Sequence, residues 1–536
     1  MTTASLVHET CYLFVAVTRI QSYLGRSRHL KGRQGASAMV IVATSVPSAE
    51  ALAEQLTASA VARRHGVRVG LCADVSPVSG AMTFEVTGED ATRAVGEVPL
   101  AGEVSLTGLA DLALLVLGRS LPGAHLTASW ATAPDPHEAR RRLAAVDLDG
   151  PASGLGHRFR MPATCDVPFA RLCTECRQDV AVVRRERRFV PTGHRRDDWL
   201  CEDCLRREDR GPDEVRLGPR VREEVSGQVG RSLAAPTMFT DLFAAVAPGP
   251  DGAARRSGAL SPQVATIAAD VNGLGALMTR LHADGRHEHA RRISEALTET
   301  SERALIAGCV AAVEALPDTG MLPAVPHVLG GDDLLVTVAA DAAWPLIRRV
   351  QEVFADPGGP LARAAAEAGH GALRLSLGVV FSHAELPVSH QIETAETLLE
   401  QAKRDHRGAA SSVLWVDATT EGLDPVRGRI AWTVDRLAVT AEAVGMLRAL
   451  PPTSRRTLVE ELADPDPLLA CALLRHRLTR HDHGLAGAVR AVAATLDPAC
   501  RDVLELPLRT DLVHRQAADR LRQSLRDALS LARWWR

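Results

Sequence analysis

Apolar and polar positions along the chain follow two different periods, and their succession predicts its elements. "CYLFVAVTRI" from Cys11 is a nearly unbroken apolar run of strand length, and "HLKGRQGASAMVIVAT" after it has helical spacing. Strand-like segments follow at Val67 to Cys72 and Met82 to Val86, then a helix-like "GLADLALLVLG". From about Gly150 to Val229 periodicity gives way to Arg, Asp, Gly and Pro around paired cysteines. A second α/β pattern runs from about Arg255 to Asp417, and amphipathic helical spacing dominates from roughly Glu421 to Arg536. Four regions result: an α/β unit at 1–149, a small insert with linker at 150–230, a second α/β unit at 231–418 and a helical bundle at 419–536.

The second α/β unit carries the chemistry. "AVPHVL" and "LLVTVAA" read as antiparallel strands joined by the turn Gly330, Gly331, Asp332 and Asp333, where glycine permits positive φ. Adjacent side chains of a regular strand point to opposite faces, so Asp332 and Asp333 share a site only if the turn breaks that alternation. A solvated hairpin is the ordinary alternative. Upstream, a strand ends at Asp270, and Asn272, Gly273 and Gly275 open a helix whose first N–H groups face the same point. Taken alone, that is equally an ordinary capped strand-to-helix turn. The segments that follow, "DAAWPLIRRVQEVF", "LRLSLGVVF", "SHQIETAETLLEQAKRDH" and "SSVLWVD", complete a β-α-α-β-β-α-β order. That order predicts a ferredoxin-like α+β sheet, the Palm arrangement, with Asp270 and the hairpin on adjacent central strands. Carboxylates so placed suit two Mg²⁺ or Mn²⁺ ions about 3.5–4 Å apart. One ion activates a ribose hydroxyl and the other neutralises departing pyrophosphate, which is nucleotidyl transfer. Sliding Ile20 onto Leu274 aligns the two α/β units as distant repeats and puts Ala16 where the second has Asp270, so the first unit is a degenerate Palm.

Charge changes this picture little. With 62 basic against 65 acidic residues the formal charge is -3, so nothing global marks a free-standing nucleic-acid binder. "RRERR" at Arg184 to Arg188 and the arginines at 140–142 read as solvated faces. Among the basic residues only Lys31 and Lys403 are lysine, and Lys403 falls on the helix after a second-unit strand, within reach of triphosphate oxygens. The start of the chain has no basic leader, and its apolar run is broken by Thr18 and Arg19. Neither a signal peptide nor a membrane span is predicted, and a cytoplasmic location is expected. Cys173, Cys176, Cys201 and Cys204 form two CxxC pairs, the donor set of a closed structural Zn²⁺ site. His194 is a spare ligand candidate.

In this order the motifs resemble a known family, the large Palm-domain subunit of type III CRISPR effector complexes, the "Cas-ten" polymerase/cyclase. "VTRIQSYLGRSRHLKGRQGASAMV" resembles its first-Palm helix and "GAS" segment, "DVNGLG" its first metal motif, "HVLGGDDLLV" its signature, and "LSLGVV" with "AETLLEQAKR" its later Palm elements. The resemblance implies synthesis of cyclic oligoadenylate messengers from ATP in antiviral defence. It also implies other effector subunits as partners, with guide RNA and target RNA engaged through the complex. By this resemblance Asp270, Asp332 and Asp333 hold the metals, Gly330 and Gly331 let nucleotide approach, Lys403 meets the triphosphate and Ser376 contacts nucleotide. An HD nuclease domain is not expected, since nothing before Cys11 could house one and His481–Asp482 lacks an upstream histidine array. Three alternatives remain: a diguanylate-cyclase-like enzyme, although Leu334 follows the acids where that family usually has Phe; a silent nucleotide-binding scaffold; and a Palm cyclase of similar architecture in a defence system without guide RNA.

Overall fold

A computed structural model describes residues 9–27, 30–72, 80–96, 108–145, 155–162, 170–188, 195–209, 217–236, 239, 242, 263–316, 320–422, 429–480, 483–496 and 498–535. The chain divides into two compact units. One comprises Met1–Arg220 with Arg280–Arg291, the other Val221–Thr279 with Arg292–Arg536. His194, His481 and Asp482 lie outside the described residues, as does the side chain of Lys31.

The first unit is built on a five-stranded sheet of β1 (Thr10–Thr18), β2 (Arg68–Leu71), β3 (Ala81–Thr87), β4 (His125–Ala133) and β5 (Leu155–Arg160), in the order β2-β3-β1-β4-β5. The apolar run from Cys11 is the central strand, buried through Leu13, Val15 and Val17. A separate hairpin of β6 (Val183–Arg188) and β7 (Arg195–Leu200) stands between the two cysteine pairs, Cys173 and Cys176 preceding it and Cys201 and Cys204 following it. The "RRERR" segment is a strand whose Arg184 is exposed, as the solvated-face reading expects, and Arg184 pairs with Asp197 across the hairpin at 2.5 Å, so charge complementarity rather than apolar alternation supports the strand.

The "GAS" helix, Leu30–Ala43, packs against the helix Glu202–Asp209 closely enough that a Cβ on Gly35 would meet the Arg207 carbonyl oxygen at 1.7 Å. Arg207 is fully buried, paired with Asp203 at 2.8 Å and lying over the Tyr23 ring. Ser27 donates to Glu175 and Arg26 pairs with Asp179, tying the segment of the first cysteine pair to the stretch before the "GAS" helix.

The second unit has a six-stranded sheet of β8 (Gln263–Val271), β9 (Ala324–Gly330), β10 (Asp333–Ala339), β11 (Leu375–His383), β12 (Ser412–Asp417) and β13 (Trp432–Thr433), in the order β13-β12-β11-β8-β10-β9. Its first four strands stand as 2-3-1-4, the ferredoxin-like order, and β1 to β4 of the first unit repeat it. A buried polar relay crosses this sheet: His327 Nε2 to Thr337 Oγ1 (2.8 Å), Thr337 to Thr266 (2.9 Å) and Thr266 to Gln391 (2.8 Å). One helix of this unit, Pro360–Glu367, was not anticipated. The helices from Val434–Ala449 to Leu512–Trp534 form the predicted helical tail and pack on the sheet. Trp534 stacks on Phe381, Arg429 reaches Asp527 at 2.8 Å, and Arg533 reaches Asp417 at 2.9 Å. Among the described residues no single helix is long and apolar enough to cross a membrane.

Candidate active site

The acids of the second unit come together at one end of its two central strands. β10 pairs antiparallel with β8, Leu334 facing Ala269, so the next residues outward are Asp333 and Asp270. Side chains directly opposite on paired strands share a face, and both carboxylates therefore lie on the face covered by the helix Val388–Asp405. Gly330 pairs with Asp333, leaving Gly331 and Asp332 as a two-residue hairpin loop. Gly331 takes φ +60°, and Asp332, in the loop rather than the strand, escapes the strand's alternation. From the helix His287–Glu314, Ser301 donates to the Gly331 carbonyl at 2.8 Å and fixes the loop.

Electrostatics marks the convergence. Burial, then the charges of Asp332 and Asp270, push Asp333 up to about 6. Its side chain also reaches water, and the repulsion of Asp332 and Asp270 acts on it there. Asp270 is also raised, by burial and Asp332, against the opposing pull of Lys403. The Lys403 ammonium lies 2.9 Å from Asp270 Oδ2 and 3.4 Å from Glu400. Burial works against its charge, yet these two acids hold it above the ordinary lysine value. Among the described residues the three aspartates are not drawn into a group as tight as the two clusters whose ligand atoms all lie within 4.8 Å of one another. Lys403 supplies the positive charge at Asp270 instead.

The remaining predicted residues divide. An ideal Cβ at Gly273, Gly275, Gly330 or Gly331 meets nothing within 4 Å, so the surface beside the acids is open to a ligand. Asn272 does something else: its Nδ2 donates to the carbonyls of Gly408 (3.3 Å) and Ala410 (3.2 Å), clasping the loop after the lysine helix. Ser376 is a correction. It lies opposite Asp270 on β11 but is fully buried beneath the helix Val388–Asp405, its hydroxyl 3.2 Å from Ser412 Oγ, and offers no surface to a nucleotide. Sequence reasoning passed over Glu396 and Glu400, whose charges bear on Asp333 and Asp270, and Ser301. The spacing of Glu396, Glu400 and Lys403 on one helix face was the available signal.

In the first unit the described residues place no acid at the two corresponding strand positions. Ala16 faces Ala81 where β1 meets the start of β3, the places Asp270 and Asp333 hold in the second sheet.

The four cysteines form a separate centre. One sulfur from each lies within 4.8 Å of the others, with Cys176 and Cys201 3.8 Å apart. Thiols crowded this way cannot all ionise unaided: hydrogen bonds from Cys173, Cys201 and Cys204 push Cys176 down, while Cys173, Cys176 and Cys201 push Cys204 up. A Zn²⁺ ion fits this donor set, which leaves no position for substrate.

A ferredoxin-like sheet with carboxylates on its first strand and on the following hairpin defines a palm domain, the fold shared by nucleotidyltransferases and nucleotide cyclases. Residues 263–411 match the family model described as Cas10/Cmr2, second palm domain, so this segment is similar to a palm domain of that family. Among solved structures, a Csm1-Csm4 cassette in complex with cA4 is 15% identical, with 99% of this chain and 71% of that chain covered at TM-score 0.48. Csm1 in T.onnurineus is 13% identical over 97% and 70% of the two chains, TM-score 0.48. A Csm1-Csm4 subcomplex of the type III-A CRISPR-Csm interference complex is 14% identical over 97% and 70%, TM-score 0.43. No curated protein matched.

Proposed function

We propose that the second palm converts ATP into cyclic oligoadenylates by nucleotidyl transfer, as a cytoplasmic subunit of a type III CRISPR effector complex in antiviral defence. The observation that carries this reading is the placement of Asp270 and Asp333 face to face on adjacent central strands, with Asp332 in the connecting loop. Three mutually repelling carboxylates form a hard oxygen donor set suited to Mg²⁺ or Mn²⁺. When bound, such ions lower the pKa of a ribose hydroxyl and neutralise the leaving pyrophosphate. Asp270, Asp332 and Asp333 would hold them. Gly330 and Gly331 leave room for the nucleotide, and Lys403, drawn off Asp270, meets phosphate oxygens. The 3′ hydroxyl oxygen of one nucleotide bonds to the α-phosphorus of the next, the bond to the β-phosphate breaks, and the hydroxyl proton leaves to water. Other effector subunits, guide RNA and target RNA are the proposed partners, and Zn²⁺ at the four cysteines a structural support.

The test is to incubate the full chain, with and without its effector partners and target RNA, with each labelled NTP and Mg²⁺, and to analyse products by mass spectrometry. Adenylate rings that vanish in the Asp332→Ala, Asp333→Ala double variant are expected. Guanylate dimers would mark a diguanylate cyclase, and silence under every condition a scaffold. Either outcome overturns the proposal.

A further inference from the structure

Three histidines that the proposed reaction does not use meet within the first unit. His137 lies in the first turn of the helix Pro136–Ala145. His282 and His287 flank a turn in the segment Arg280–Arg291, where Gly285 takes φ +70° and bends the chain so that both rings face one point. One ring nitrogen from each lies within 4.8 Å of those of the other two. The Nδ1 atoms of His282 and His287 are 3.3 Å apart, the separation of two donors on one tetrahedral ion with bonds of about 2.0–2.1 Å. The ring of His137 stacks on that of His287 at 3.7 Å between centroids and lies 4.6 Å from His282.

Packing alone would account for stacked rings, but not for the polar atom left among them. His137 is 8% exposed, and its Nδ1 is buried without a hydrogen-bond partner. An unpaired buried acceptor or donor costs about 1–3 kcal/mol, which a bound cation would remove. Burial, then the neighbouring rings of His287 and His282, push His137 down to about 4, so it presents a lone pair at neutral pH. Asp135, which caps this helix, favours a cation here; Arg140 and Arg141 oppose one and limit its affinity. A small rotation of the half-buried His287 ring off the stack would turn its lone pair onto the ion.

We propose that His137, His282 and His287 form a tri-imidazole site for a borderline divalent ion of the Zn²⁺ class, distinct from the four-cysteine centre. Neutral imidazoles suit that class, and three protein ligands leave a fourth position to water. The ion would staple the turn at Gly285 to the start of the helix Pro136–Ala145.

The test uses the full chain, stripped with chelator, re-equilibrated with zinc alone and freed of excess by gel filtration. Elemental analysis of His287→Gln should show about one zinc per chain fewer than wild type, and His282→Gln the same loss. Both substitutions fall at partly exposed positions, and circular dichroism checks the fold of each. With Co²⁺ in place of zinc, the near-ultraviolet thiolate bands of the cysteine centre should persist in both variants while part of the weaker visible absorption is lost. Equal zinc content in wild type and in whichever variants retain the wild-type dichroism overturns the proposal, as does unchanged visible absorption.

Discussion

Asp333 carries the clearest electrostatic signature of the site, and its consequence for stability can be signed. Its folded-state pKa, about 6, lies above the ordinary aspartate value, so the folded state binds more protons than the unfolded one between those values. Stability therefore falls as pH rises through that window, and above it the ionised group is a liability. Asp333→Asn should raise the melting temperature in EDTA at pH 7.5 by ~1–2 °C, with the gain fading below about pH 4, as calorimetry over a pH series would show. Lys403→Ala, by contrast, leaves Asp270 without its cation. It should destabilise the metal-free protein by about 1 kcal/mol in urea titrations, and less so at saturating Mg²⁺, which takes over the charge. At this scale the acids were legible because two sit side by side in a glycine turn and the third ends an apolar strand. The true state of Ser376 was not, because strand parity does not say which hydroxyl a later helix will cover.

The hairpin and the helix above it set the geometry of the element scale. Gly331 needs positive φ and Gly330 does not, although neither would meet a neighbour if given a Cβ. Gly331→Ala should thus cost about 1 kcal/mol of stability through backbone strain alone. Gly330→Ala should leave stability unchanged and, on the proposed reaction, raise the KM for ATP, since its methyl would project into open space beside the acids; denaturation curves and steady-state kinetics separate the two. At Gly378 a Cβ would meet the Ala395 carbonyl oxygen at 2.0 Å, so the glycine of "LSLGVV" lets the helix Val388–Asp405 press onto β11 and deliver Lys403 to Asp270. The strand and helix order of this unit could be read because its strands are short, largely apolar runs rich in Val, Leu and Ala. The helix Pro360–Glu367 was missed although Pro360 opens it and Gly369, at φ +67°, follows it; eight residues are too few for an apolar spacing to repeat along the sequence. β6 and β7 escaped because their residues are largely charged, which hydrophobic alternation cannot detect.

Two compact units, for which different metal chemistry is proposed, make a whole-molecule forecast. Calorimetry should resolve two unfolding transitions. Chelation of the four-cysteine ion should lower one, while ATP with Mg²⁺ should raise the other. A single transition displaced equally by both treatments would contradict that division. The duplication of the ferredoxin-like sheet was readable from the Ile20 to Leu274 alignment, and the register places Ala16 and Ala81 where the second sheet has its acids. The catalytic claim concerns the second unit alone: its three aspartates hold the divalent ions that nucleotidyl transfer requires. Electron paramagnetic resonance of Mn²⁺ titrated into the full chain with a non-hydrolysable ATP analogue tests this most directly. The account predicts nucleotide-dependent uptake of about two Mn²⁺ per chain, abolished by Asp270→Asn and by Asp333→Asn; uptake identical in wild type and both variants would contradict it.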